Sequence, residues 1–141
     1  MSTIYLAGAI TGLSWESAEG WRIKVKSKIE SITNKQWLCI NPCEHIPHKP
    51  FTEGIERECM LWDLYKLKQS DILVCDFSHP NSIGTSWELS VAYDRSIPII
   101  GVMTEPSKEE IHPWWRMAAM HVCDNIEDLY KYLQKQFLHH D

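Results

Sequence analysis

The feature of this sequence that most constrains its fold is an alternation of two periods. Short, nearly continuous apolar runs are separated by longer stretches in which apolar residues recur every three or four positions. A run of four to eight apolar residues bounded by turn signals fits a strand covered on both faces, and such strands belong to parallel sheets flanked by helices. Runs at 3–8, 37–41, 71–77, 97–103 and 120–123 are predicted as strands. Between them, Ser14 is placed to cap a helix whose buried face is Ala18, Trp21, Val25, Ile29 and Ile32. A second helix covers about 55–69 with Met60, Leu64 and Leu67 on one stripe, and a third runs from Thr85 to about Arg95. A helical segment around 107–118 follows. The last helix carries Ile126, Leu129, Tyr130, Leu133 and Phe137, with Asp124-x-x-Glu127 resembling a capping box. Five strands alternating with five helices imply a flavodoxin-like, doubly wound parallel sheet in one α/β domain spanning 1–141.

Charge and length bound the function. Fourteen basic and 19 acidic residues leave 14 − 19 = −5 at neutral pH, against binding to nucleic-acid polymers, which needs clustered positive charge. No apolar run approaches the roughly 20 residues of a membrane span. The first residues carry neither the basic nor the apolar region of a signal peptide, so a cytoplasmic protein is expected. The five cysteines are an odd number and read as small core residues of a reducing compartment. Cys39-x3-Cys43 with His45 and His48 lacks finger or ribbon spacing, and no metal site is expected.

In open parallel sheets the ligand crevice lies beyond the carboxyl ends of the strands, where strand order reverses. For a flavodoxin-like order that point falls between the first and third strands. Its loops are Gly8-Ala9-Ile10-Thr11-Gly12 and Ser78 to Gly84, neither of them a Walker or G-x-G-x-x-G motif. Glu88 lies at the start of the helix after the third strand, above the crevice. Thr85-Ser86-Trp87-Glu88 also fits the T-x-x-E capping box, so a cap and a catalytic acid compete for this residue. Asp63 borders the apolar stripe of its helix, either as a tolerated edge residue or aimed into a site. Tyr5, in mid-strand, is explained equally by packing. Asp71 and Asp76 bracket the third strand, with Asp71 read as structural. A proline-rich loop runs from Pro42 to about Gly54. His112, Trp114 and Trp115 cluster around Pro113 and suit either core packing or a pocket or subunit interface. The G-x-S-x-G, P-loop and H-E-x-x-H motifs are missing, which removes several hydrolase classes.

Three segments stand in order: Ile4-Tyr5-Leu6-Ala7-Gly8, Asp63-Leu64 before Ser70-Asp71-Ile72-Leu73-Val74, and Gly84-Thr85-Ser86-Trp87-Glu88-Leu89 with Ala92-Tyr93. Together they resemble the nucleoside 2-deoxyribosyltransferase family over about residues 4–129. The resemblance implies a flavodoxin-like fold, homo-oligomers whose sites a neighbour completes, and glycosyl transfer without metal or organic cofactor. Glu88 would be the nucleophile at the anomeric carbon. Asp63 would contact the base and assist its departure, and the Tyr5 hydroxyl would hold the glutamate.

Substrate choice turns on smaller details. The branch acting on free nucleosides tends to carry an acid six residues before the nucleophile, where this chain has Ser82. The branch resembling 2′-deoxynucleoside 5′-phosphate N-hydrolases has a phosphate-binding serine there. Ala9 and Thr11 depart from the serine and arginine usual in that branch's first loop, and His112 aligns with a serine supplied by the neighbouring subunit. The expectation is therefore cleavage of the base from a (deoxy)nucleoside 5′-monophosphate in a homodimer or larger homo-oligomer. Gly8, Ala9, Ile10, Ser82, Gly84 and His112 would bind substrate. Rival readings are base exchange on free nucleosides, a TIR-like NAD glycohydrolase, and a nucleotide sensor without turnover.

Overall fold

The computed structural model describes residues 1–45 and 55–138. Most of the proline-rich loop, with His48, lies outside the described residues. Five strands are described: β1 (Ser2–Ala7), β2 (Trp37–Ile40), β3 (Ile72–Asp76), β4 (Ile99–Val102) and β5 (His121–Cys123). They form one all-parallel sheet in the order β2-β1-β3-β4-β5. The helices are α1 (Trp15–Ile32), α2 (Ile55–Lys68), α3 (Ile83–Asp94), α4 (Pro113–Ala118) and α5 (Ile126–Gln136), with a 3₁₀ turn at Pro42–Glu44. This is the expected doubly wound α/β fold, and its order reverses between β1 and β3.

Side chains of a strand alternate between faces, and here the alternation divides the core in two. Ile4 and Leu6 of β1 pack with Val25 and Ile29 of α1 and with Leu129 and Leu133 of α5. Tyr5 and Ala7 point the other way, into the layer with Leu67 of α2, Leu89 of α3 and Trp115 of α4. The parity of β1 thus sends Tyr5 to the face covered by α2 and α3, the helices that carry Asp63 and Glu88. The sheet's other end is pinned by Asp71, whose carboxylate accepts the Thr3 N–H at 2.8 Å, a structural role across β1 and β3.

Three boundaries differ from expectation. Ser14 does cap α1, accepting the Ser17 N–H at 3.1 Å. Helix α3, however, starts at Ile83, because Ser82 is its N-cap and accepts the Thr85 N–H at 3.1 Å. The Thr85 hydroxyl donates back to Ser82 Oγ at 2.8 Å. Thr85 is therefore inside the helix, and Thr85-x-x-Glu88 is not a capping box. At α5 the cap is Asn125, whose Oδ1 accepts the Asp128 N–H at 2.8 Å, one residue beyond the Asp124 expected from the motif. Of the segment 107–118 only Pro113–Ala118 is helical, with His112 at the cap and proline in the first turn, where its missing N–H costs nothing.

Candidate active site

The start of α3 at Ile83 decides what Glu88 can do. Glu88 sits in the second turn, and Gly84 and Thr85, four and three residues earlier, share its face. All three line a cleft of about 500 Å³ between the loops after β1 and β3. Its opposite wall is a stripe of α2, namely Glu56, Cys59, Met60 and Asp63, again at helical spacing. Gly8 of the β1 loop also lines it, and Ile10, Met60, Leu64 and Trp87 supply apolar surface.

The two acids titrate abnormally for stated reasons. Burial pushes Asp63 up to about 7, against a smaller opposing pull from the Arg22 guanidinium. Burial likewise raises Glu88 to about 7; the nearby Tyr5 hydroxyl and Arg22 pull it down, and the Asp63 charge pushes it up. Tyr5 lies beneath both. Burial first, then the charges of Glu88 and Asp63, drive its hydroxyl far above the ordinary phenol value. That hydroxyl and Asp63 Oδ1 are buried polar atoms without a protein hydrogen-bond partner of good geometry. An unpaired buried polar group costs about 1–3 kcal/mol; Asp63 presents one to the cleft, and the Tyr5 hydroxyl lies beneath it beside Glu88.

The β1 loop is tightly constrained. A Cβ on Gly8 would come within 3.2 Å of Asp76 Cβ and 3.3 Å of the Trp21 ring, so any larger residue would push these neighbours back by a few tenths of an ångström. Gly12, at φ +85°, closes the turn in which the Leu13 N–H donates to the Ile10 carbonyl at 3.2 Å. Beneath the loop, Arg22 is fully buried. Its Nε donates to the Leu6 carbonyl at 3.1 Å, its Nη2 to the Gly8 carbonyl at 2.9 Å, and its Nη1 to the Ala18 carbonyl. Asp76, at the end of β3, accepts from the Ser78 N–H at 3.0 Å and the Thr104 hydroxyl at 2.9 Å, fixing the second loop.

Of the residues singled out from sequence, Glu88, Asp63, Gly8, Ile10, Ser82 and Gly84 line the same cleft, with Tyr5 beneath it. Ala9 lies beside it, in an adjoining polar cavity that shares Thr11, Asn81 and Ser82. His112 does not reach the cleft within one chain. Its Nδ1 accepts the Trp114 N–H at 3.1 Å, and it opens onto a separate groove with Tyr93, Trp114 and Met117. Arg22 escaped the sequence reading, although a charge four residues after Ala18 and three before Val25, inside an apolar stripe, was visible there. Among the described residues no group of three or more His, Cys, Asp or Glu side chains could hold a metal ion.

No family model matches this sequence, and no curated protein is similar to it in sequence. Solved structures are similar to it in fold. A 2-deoxyribosyltransferase from the psychrotolerant bacterium Bacillus psychrosaccharolyticus superposes with a TM-score of 0.71 at 21% identity, over 93% of this chain and 92% of that one. A CMP N-glycosidase of Clostridium botulinum gives 0.56 at 19% identity, over 95% and 97%. A conserved protein of Enterococcus faecalis V583 gives 0.59 at 17% identity, over 92% and 85%. The chain has the nucleoside deoxyribosyltransferase fold.

Proposed function

We propose that this protein cleaves the N-glycosidic bond of a (deoxy)nucleoside 5′-monophosphate and releases the free base. The observation that carries this reading is the acid pair, Glu88 and Asp63, on opposite walls of the switch-point cleft and both raised to about 7. Near neutral pH such a pair holds one proton between two carboxyls over much of its population, as a nucleophile and a general acid require. The Glu88 carboxylate attacks the anomeric carbon through an oxocarbenium-like transition state. The bond to the base breaks, its electron pair stays on the base nitrogen, and Asp63 delivers the proton. Water then attacks the glycosyl-enzyme ester, its proton passes to Asp63, and Glu88 is freed; an incoming base in place of water gives transfer. The Tyr5 hydroxyl orients the glutamate. No metal or organic cofactor enters either step.

The apolar walls, with Trp87 and Ile10, suit a planar base. The phosphate is assigned to the end of the cleft at Ser82 and the Gly8–Ile10 backbone. Ser82 Oγ already accepts from the Thr85 N–H and hydroxyl, which leaves its own proton to donate. The first N–H groups of α3, at Ile83 and Gly84, have no carbonyl within the helix and favour an anion. The similar structures lend support: one is named a deoxyribosyltransferase and another a CMP N-glycosidase. His112 enters this reading through a second copy of the chain. The groove beside it is edged by Trp114 and Met117, 77% and 78% exposed, as suits a covered interface. Sedimentation should therefore find at least a dimer, and a fully active monomer would remove His112 from the site.

Chromatography of products from nucleosides, their monophosphates and NAD tests the proposal. Free base from a monophosphate supports it. Base exchange between nucleosides, nicotinamide release, or binding without turnover would each replace it with a different reading.

A further inference from the structure

Arg22 is the one buried cation among the described residues, and no described carboxylate lies within salt-bridge distance of it. Burying a guanidinium costs several kcal/mol unless it is paired or well hydrogen-bonded. Three backbone carbonyls hold it, and the Trp21 ring covers it with its centroid 5.0 Å away. These carbonyls take three of its five N–H donors and, being neutral, leave its charge unneutralised. A merely structural strut in this place needs donors and no charge.

We propose that Arg22 is a positioning residue of the acid pair, a buried counter-charge that also fixes the β1–α1 turn on which the sugar phosphate rests. The inference rests on the proposed function for its kinetic consequence, though not for its electrostatic one. The groups that bear on Glu88 are Asp63 from α2, Tyr5 from β1 and Arg22 from α1, and the buried Cys75 thiol of β3 lies close enough to feel it. Cys43, Cys59 and Tyr5 feel the Asp63 charge. Among all these only Arg22 is positive, and it pulls both acids, Tyr5, Cys43 and Cys75 toward their ionised forms. Its links to the Leu6 and Gly8 carbonyls tie that charge rigidly to the β1 loop that lines the cleft. Burial alone would favour neutral forms for both carboxyls at neutral pH. Arg22 offsets that tendency, so that one of them can be charged when substrate arrives.

The electrostatic part of the test needs no substrate. In the native protein, the Arg22 Nε resonance should follow the acids through a step near pH 7, and that step should vanish in Glu88→Gln with Asp63→Asn. The carboxyl resonances of Glu88 and Asp63 should titrate about one pH unit or more higher in Arg22→Met, and much less displaced in Arg22→Lys. The acid limb of kcat/KM should move up in the same order. An Arg22 signal blind to the acids, or a folded Arg22→Met with unmoved carboxyl midpoints, overturns the inference. If Arg22→Met does not fold, the native Nε titration still decides. If the titrations behave as stated but no nucleotide is turned over, the proposed function fails while the electrostatic role of Arg22 stands.

Discussion

Glu88 of α3 and Asp63 of α2 face one cleft, and the charge of Asp63 adds to the burial that lifts the glutamate to about 7. Ionising one acid makes the other harder to ionise, so the pair loses its two protons in separate steps that belong to both. Catalysis needs the singly protonated form. The profile of kcat/KM should accordingly be bell-shaped with its maximum near pH 7, falling about tenfold per unit well outside it. A pH–rate series checks this, and Asp63→Asn should abolish the alkaline limb. A profile flat from pH 5 to 9 would remove the pair from the chemistry.

The same shifts are a statement about stability. A carboxyl raised in the folded state gives the native form more bound protons than the unfolded form between their two midpoints, so stability falls as pH rises through that window. For Glu88 the window runs from its ordinary value of 4.5 to about 7. Glu88→Gln should therefore be more stable than the native protein at pH 8, by about 1–3 kcal/mol, with the difference gone below about pH 4. It should also lose turnover. Urea denaturation at both pH values measures the first effect. A Gln variant no more stable at pH 8, or one turning over at the native rate, contradicts the assignment.

Tyr5 offers the same trade from the other side. Its hydroxyl is buried without a good partner, so Tyr5→Phe should be as stable as the native protein or slightly more so. If the hydroxyl orients Glu88 in the transition state, kcat should fall at least about tenfold while KM changes little. Thermal unfolding beside steady-state kinetics separates the two. A stable variant with native kcat would leave Tyr5 a packing residue, as its position in mid-strand first suggested.

How much was readable before the structure depended on whether a signal was periodic or local. The apolar runs and three-and-four stripes fixed the sheet, the helix count and the switch point, because burial repeats along an element. Caps are single-residue decisions and slipped: Thr85 gave way to Ser82 and Asp124 to Asn125, each neighbour offering an oxygen to the same helix end. The shift at α3 moved Glu88 out of its competing role as a cap partner. Arg22 went unread because periodicity treats a charge in an apolar stripe as noise. Its three carbonyl acceptors are set by the path of β1 and α1, which no local pattern encodes. His112 was tied to a neighbouring chain by resemblance, and one chain alone leaves it in its own groove.

Ser82 carries the choice of substrate, and its role as the cap of α3 makes the test cleaner. Replacing it with alanine would remove a cap worth about 1 kcal/mol and confuse stability with binding. Aspartate caps as well as serine and suits the helix dipole, so Ser82→Asp keeps α3 intact while exchanging a donor for a negative charge. A 5′-monophosphate brings close to two negative charges of its own, and a charge-assisted hydrogen bond to it is worth about 1.5–3 kcal/mol. Loss of that bond, with repulsion added, predicts a fall in kcat/KM of at least about tenfold for monophosphates. Free nucleosides, which place only a neutral 5′-hydroxyl there, should be spared or favoured. Parallel kinetics on a monophosphate and its nucleoside, with circular dichroism to show α3 unchanged, make the measurement. If the two substrates suffer equally, or if the native protein already prefers the free nucleoside, the phosphate is not held at Ser82 and the transferase reading takes its place.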